Sequence, residues 1–288
     1  MLMPQNVATL FQPLRRMTLQ QRKYLFFRTR MMLLYPLGVL AMAYIKWLAP
    51  AFGCAHVERI RRAVPRLLSA AVLKLNGIRL KVEGLHNLGN DVSGARVLVT
   101  NHNSRFDGYI LLAMCPFAFK SFWSDTAHIT TEGFRMVAAF GRVFDLFFVH
   151  DKSSIRNTLR EFKKAEQCLR DGGTVSFFPE GQFSRDGWVR EVGASCIGLA
   201  VRTGSSVVPI VMLDTHATFE SRKRFFGDTK EVRVVVLPPI DVASRLKADV
   251  PSLVYQVESL MNTTLAQGRQ VPCPLASPPA VHVGGEVA

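Results

Sequence analysis

A histidine and an aspartate five residues apart, His102 and Asp107, lie between two apolar runs. The first run, Val97-Leu98-Val99, is short and rich in β-branched residues, which reads as a buried strand. The second opens with Tyr109-Ile110-Leu111-Leu112 and reads as the following helix. His102 therefore falls at a strand-to-helix junction, where α/β proteins expose reactive groups. In a continuous helix five residues would turn about 500°, leaving the two side chains roughly 140° apart. With His102 in the loop and Asp107 in the first helical turn, the carboxylate can face the imidazole. The pair is then a general base with its orienting acid. A plainer reading uses the same letters. Ser104-Arg105-Phe106-Asp107 is also a capping box, with Ser104 as N-cap and Asp107 at N3, and His102 is then a loop histidine. The local sequence leaves both readings open.

A second acid stands in a similar place. Phe178-Pro179-Glu180-Gly181 follows the apolar run Thr174–Phe178. Proline stops strand pairing and glycine permits an unusual turn, so Glu180 is presented at a strand end. A carboxylate there can bind an acceptor hydroxyl or steady a cation. Taken alone, the tetrapeptide is a turn carrying a solvated acid.

The elements that must position these groups alternate along the chain. Strands are expected at Ile78–Val82, Lys120–Trp123, Val143–Val149, Thr174–Phe178, Val207–Leu213 and Val232–Leu237. Helices are expected near Thr130–Phe140, ending at Gly141, and at Lys152–Arg170, Val192–Val201 and Pro251–Gln267. In Lys152–Arg170 the residues Ile155, Leu159, Phe162, Ala165, Cys168 and Leu169 fall on one helical face. Strand and helix in alternation predict an α/β fold with a mostly parallel sheet. Val271–Ala288 is poor in charge and rich in Pro, Gly, Ala and Val, and reads as a loose tail.

Charge is distributed unevenly over the 288 residues. The net charge is +14, and up to Lys74 there are twelve basic residues against one acidic residue, Glu58. A basic and apolar N-terminal quarter fits an anionic membrane surface better than nucleic acid. Met31 to Ile45 carries no charge; Lys46 follows, and Tyr44 and Trp47 beside it suit an interface. Pro50 and Gly53 suit a break before a second helix carrying Arg59, Arg61, Arg62 and Arg66. The reading favoured is a monotopic two-helix anchor over residues 1–75, then an α/β domain over 76–267 and a flexible tail over 268–288. The alternatives are a secretory signal and a buried core helix. Five widely spaced cysteines without a C-x-x-C pair read as reduced thiols of a cytosol-facing protein.

Four ordered blocks are far more specific than any one of them. Asn101-His102-Asn103-Ser104-Arg105-Phe106-Asp107, Gly141-Arg142-Val143-Phe144, Phe178-Pro179-Glu180-Gly181 and Val208-Pro209-Ile210 together resemble the glycerolipid acyltransferase family. That family includes the 1-acylglycerol-3-phosphate acyltransferases and other lysophospholipid acyltransferases. The resemblance covers roughly Ile78 to Leu237. It implies an α/β core behind an N-terminal membrane helix pair. It assigns His102 as the base, Asp107 as its orienting acid and Glu180 as an acceptor-binding residue, with Gly181 letting the backbone approach. Backbone N–H groups at the start of the Ser104 helix are the candidate oxyanion donors, each worth about 3 kcal/mol. Two departures bear on the acceptor. Val149 is followed by His150-Asp151 where an arginine is usual, and Gly181 by Gln182-Phe183 where threonine and arginine are usual. Those arginines are associated with the acceptor's phosphate, and Arg142 and Arg185 are the candidates to replace them.

The implied reaction is transfer of a fatty acyl group from acyl-CoA or an acyl carrier protein to a lysolipid hydroxyl at a membrane surface. It needs no cofactor and no metal. Membrane association at the cytoplasmic face is expected, at the inner membrane in a bacterium. The acceptor favoured is 1-acylglycerol-3-phosphate; the alternative acceptor is another lysolipid, such as a lyso-ornithine lipid. An alternative of another class is a non-catalytic membrane adaptor on the same fold, against which the intact His102, Asp107 and Glu180 speak. A serine hydrolase is excluded because no G-x-S-x-G elbow occurs; Gly193-Ala194-Ser195-Cys196-Ile197 lacks the last glycine. No glycine-rich phosphate loop follows the first strand, and the histidines are too scattered for a metal site.

Overall fold

The structure is a computed structural model that describes residues 17–89, 94–124, 139–150, 154–181, 183–184, 186–190, 192–213, 215–220, 225–227 and 230–273. The chain opens with helix α1 (Leu19–Ala43). Thr18 caps it by accepting the Gln21 N–H at 3.3 Å, while the Gln21 side chain accepts the Thr18 N–H at 2.8 Å. The helix continues through a π turn (Tyr44–Leu48) and a 3₁₀ turn (Ala49–Phe52). Gly53, at φ 89°, breaks it and starts α2 (Cys54–Leu75). Leu19–Phe52 is the one helical stretch among the described residues long and apolar enough to cross a membrane. Most of it is exposed, which corrects the buried-core-helix alternative.

Seven strands form one sheet in the order β1-β9-β6-β2-β5-β3-β4. They are β1 (Arg79–Glu83), β2 (Arg96–Thr100), β3 (Lys120–Ser124), β4 (Phe147–His150), β5 (Thr174–Phe177), β6 (Ser206–Leu213) and β9 (Glu231–Val236). A separate two-stranded ribbon is made by β7 (Phe219–Glu220) and β8 (Phe225–Phe226). β6, β2, β5, β3 and β4 are mutually parallel; β9 runs antiparallel to β6, and β1 parallel to β9. The sheet is thus mostly parallel.

Both faces are covered, as a parallel sheet requires. Leu98 looks to one side, where it meets Val72 and Leu73 of α2, Ile110 and Leu111 of α3 (Asp107–Met114), and Phe27 and Met31 of α1. Val97 and Val99 look to the other. There they meet Ala165 of α4 (Ile155–Arg170), Ile197 of α5 (Ala194–Thr203), and Val257 and Met261 of α6 (Val250–Arg269). Every residue of β2 is buried. α2 therefore belongs to the core and α1 packs one side against it, so a cut at residue 75 would remove part of that layer.

Two expectations need correction. The helix before β4 has only residues 139–143 within the described set; it runs past Gly141, and β4 starts at Phe147 rather than Val143. The turn between them has a physical cause. Asp145 adopts φ 55°, and the Leu146 N–H donates to the Gly141 carbonyl at 2.8 Å, so the helix ends in a left-handed turn. The second correction concerns α4. Phe162, Ala165, Cys168 and Leu169 pack against the core, but Ile155 and Leu159 are 79% and 59% exposed. The N-terminal half of the helix thus leaves these two side chains outside the core cluster.

Candidate active site

The site begins where β2 ends. Asn101 is fully buried, and its side chain grips the Met212 backbone on β6. Its Nδ2 donates to the Met212 carbonyl at 2.9 Å, and its Oδ1 accepts the Met212 N–H at 2.7 Å. This clamp fixes the chain at the residue before His102. A polar side chain closing a buried strand was the available signal for it, and the sequence reading missed it.

His102 follows in the loop, and α3 begins at Asp107. His102 Nδ1 lies 3.0 Å from Asp107 Oδ2. The same oxygen accepts the Asn103 N–H at 2.6 Å and the Ser104 N–H at 2.7 Å. Asp107 is completely buried, and its Oδ1 has no partner among the described residues. Two backbone N–H groups and the His102 ring nitrogen thus converge on one carboxylate oxygen, an arrangement that holds the aspartate rotamer under the imidazole.

Only half of the expected capping box forms. The Ser104 N–H reaches Asp107, but Ser104 Oγ accepts from the Phe106 N–H at 3.3 Å, not from residue 107. The helix starts later than Ser104 because the loop tightens around the carboxylate. Ser104 is also fully buried. Its N–H, like that of Asn103, is engaged by Asp107, so neither is available to a developing oxyanion.

The imidazole is only 22% exposed. It is held between the rings of Phe178 and Phe183, each with its centroid 4.3 Å away. Phe183 stands where the family pattern has a polar residue, and this contact is what it supplies. The His102 carbonyl accepts the Ser184 N–H at 2.7 Å, tying the loop after β2 to the loop after β5.

Glu180 belongs to that second loop. The Gly181 N–H closes a turn onto the Phe178 carbonyl at 3.0 Å, and Gly181 itself adopts φ 62°, a left-handed value that favours glycine. The turn brings Glu180 next to His102. Burial pushes the Glu180 carboxyl up to about 7, while the backbone N–H groups of His102 and Arg190 pull it down; the charges of Asp186 and Asp107 add to the rise. One of its oxygens, Oε1, is buried without a partner among the described residues.

The loop carrying Glu180 is fastened from behind by α6. Asn262 accepts the Val189 N–H at 3.0 Å and donates to the Val189 carbonyl at 2.7 Å. Glu258 accepts the Val192 N–H at 2.6 Å. Arg269 lies over the Trp188 ring and donates to the Gly187 carbonyl. None of these three was singled out from the sequence, since nothing local relates residue 262 to residue 189.

Other candidate residues are placed differently. Arg142 is exposed, three residues ahead of Asp145, whose carboxylate pairs with Lys120 at the start of β3. It sits toward the N-terminal ends of the strands, whereas His102 and Glu180 follow the C-terminal ends. The structure therefore does not bring Arg142 to the pair, because the chain has already turned back before β4. Arg185 lies outside the described residues. The five cysteines are free, and burial pushes the Cys115 and Cys196 thiols up to about 12, which makes them inert packing groups. Among the described residues no group of three His, Cys, Asp or Glu side chains comes together to hold a metal ion.

Comparison with known proteins points the same way. Residues 79–213 match the family model described as Acyltransferase. A chloroplastic 1-acyl-sn-glycerol-3-phosphate acyltransferase of Arabidopsis thaliana is 30% identical over 60% of this chain and 46% of its own length. The 1-acyl-sn-glycerol-3-phosphate acyltransferase of Borreliella burgdorferi is 28% identical over 59% of this chain and 65% of its own. The chain thus spans about half to two thirds of the length of these relatives. The crystal structure of the 1-acyl-sn-glycerophosphate acyltransferase PlsC from Thermotoga maritima superposes with a TM-score of 0.68, covering 86% of this chain and 96% of that one. At 18% identity this likeness bears on the fold alone. The stretch that matches the acyltransferase family model, residues 79–213, contains His102, Asp107 and Glu180.

Proposed function

We propose that this protein moves a fatty acyl group from an acyl thioester to the free hydroxyl of a lysolipid, 1-acylglycerol-3-phosphate being the favoured acceptor. The observation that carries the reading is the buried Asp107 carboxylate, held by the Asn103 and Ser104 N–H groups beneath His102 Nδ1, with Glu180 alongside. With Nδ1–H donated to Asp107, Nε2 of His102 is free to accept a proton. The acceptor hydroxyl loses its proton to Nε2 as its oxygen attacks the thioester carbonyl. The tetrahedral intermediate collapses by breaking the C–S bond, and the departing thiolate takes the proton back from the imidazolium. The products are an ester and a thiol, and the enzyme returns to its starting protonation. Asp107 steadies the imidazolium meanwhile.

Glu180 is proposed to bind the acceptor near the reacting hydroxyl. Gly181 leaves the backbone there open to the ligand, and Arg185 is the candidate to meet its phosphate. The membrane reading rests on α1. The whole helical stretch Leu19–Phe52 is long enough to cross, but its uncharged run, Met31 to Ile45 in α1 and the π turn that continues it, is 15 residues, about 22 Å at 1.5 Å per residue, short of the ~30 Å hydrocarbon core. A helix that lies in the interface rather than spanning fits that length, with Trp47 exposed beside Lys46.

The test is a panel of lysolipids incubated with the purified full-length protein and a labelled acyl thioester, with products identified by mass spectrometry. Diacylglycerol phosphate from 1-acylglycerol-3-phosphate is the expected product. Acylation of a phosphate-free lysolipid alone would overturn the acceptor, and no acylation of any lipid would overturn the reaction.

A further inference from the structure

The N-terminal half of α4 presents a stripe that the fold does not use. Ile155 and Leu159 are 79% and 59% exposed. Arg156, Arg160 and Lys163 are exposed around them. Arg160 leans on Glu161, while Arg156 and Lys163 make no ion pair among the described residues. Two large aliphatic side chains one helical turn apart, flanked by cations, make this surface a candidate contact face.

Its position in the fold narrows the occupant. α4 follows β4 directly, so Ile155 and Leu159 lie at the C-terminal end of the parallel strands, the same end as His102 and Glu180. In the strand order β2-β5-β3-β4, β4 is three spacings from β2, roughly 14 Å at about 4.8 Å each. α4 also covers the sheet face opposite to α1. If α1 lies on a bilayer, this stripe faces water. A protein partner suits it better than a lipid surface, and the cations call for an acidic one.

We infer that the exposed face of α4 formed by Ile155, Arg156, Leu159, Arg160 and Lys163 docks a small acidic acyl carrier protein, whose prosthetic arm delivers the acyl thioester to His102. The inference rests on the acyl-transfer reading and names its donor. Cations at such an interface steer the encounter and set its salt dependence, while the two aliphatic residues form its dry centre.

The experiment compares two donors of one acyl chain, acyl-CoA and acyl-[acyl carrier protein], with full-length protein and 1-acylglycerol-3-phosphate. For the double variant Arg156→Glu, Lys163→Glu, kcat/KM for the carrier-borne donor should fall about tenfold or more, mainly through KM, while that for acyl-CoA stays within about twofold. Ile155→Ser with Leu159→Ser should act likewise, and the charge-conserving Arg156→Lys should retain the carrier reaction. Sedimentation with anionic vesicles should be unchanged. Equal loss with both donors, loss of vesicle binding, or no loss at all overturns the docking face. Turnover of acyl-CoA but never of the carrier donor by the wild type also overturns it, and leaves the transferase reading standing. Turnover of neither donor defeats the transferase reading, and the docking face falls with it.

Discussion

His102 and Asp107 are separated by one loop, and the loop's backbone does most of the positioning. The H-x4-D spacing was legible because both residues lie within one strand-to-helix turn. Asn101 was not, because its partner is 111 residues away on β6. That clamp has a measurable consequence. Asn101→Leu would leave the buried Met212 N–H and C=O without partners, at about 1–3 kcal/mol for each orphaned group. Its Tm and kcat should both drop, whereas equal stability by calorimetry would contradict the clamp. Glu180 gives a pH signature. Its carboxyl, raised to about 7 by burial, stays neutral in the folded protein where the unfolded chain already ionises. A raised acid contributes stability that is fully present below its unfolded pKa and is lost as pH rises through about 7. Glu180→Gln removes that loss, so its Tm relative to wild type should be more favourable near pH 8 than near pH 5. A difference independent of pH would show that the carboxyl is not held neutral.

At the scale of elements, the alternation of apolar strands and amphipathic helices was enough to anticipate the sheet and its mostly parallel sense. What the sequence hid were the places where a local pattern met a tertiary one. The run Val143–Val149 looks like a strand, yet its first residues finish a helix because Gly141 permits close approach. A Cβ at Gly141 would enter the Phe147 ring. Gly141→Ala should therefore destabilise the protein by about 1–3 kcal/mol, the range for overpacking a filled site. Denaturant unfolding checks this, and an unchanged midpoint would mean that Phe147 has room to move. Ile155 and Leu159 share the helical period of Phe162 and Ala165, but they stay exposed outside the core cluster. Periodicity reports a face of a helix, not how far its neighbour extends.

At the scale of the molecule, the helix pair does two jobs with its two sides. Tyr24, Phe27, Met31 and Leu34 of α1 pack against the core, while Leu33, Leu37 and Leu40 stay more than half exposed. Because α1 and α2 complete the sandwich, removing residues 1–75 would test folding rather than anchoring. Leu33→Glu with Leu40→Glu touches only the outer face. Each charge opposes burial of that face in lipid, so the double variant should shift from the pellet to the supernatant in vesicle sedimentation, with its Tm in detergent unchanged. A variant that still pellets like the wild type would exclude this face as the membrane contact.

The most direct measurement of the account is single-turnover acyl transfer by purified His102→Ala beside the wild type. A positioned base contributes roughly 10²–10⁴-fold. The account predicts a loss of that order at the chemical step, with the melting temperature and acceptor binding retained. Near wild-type transfer by His102→Ala would contradict it.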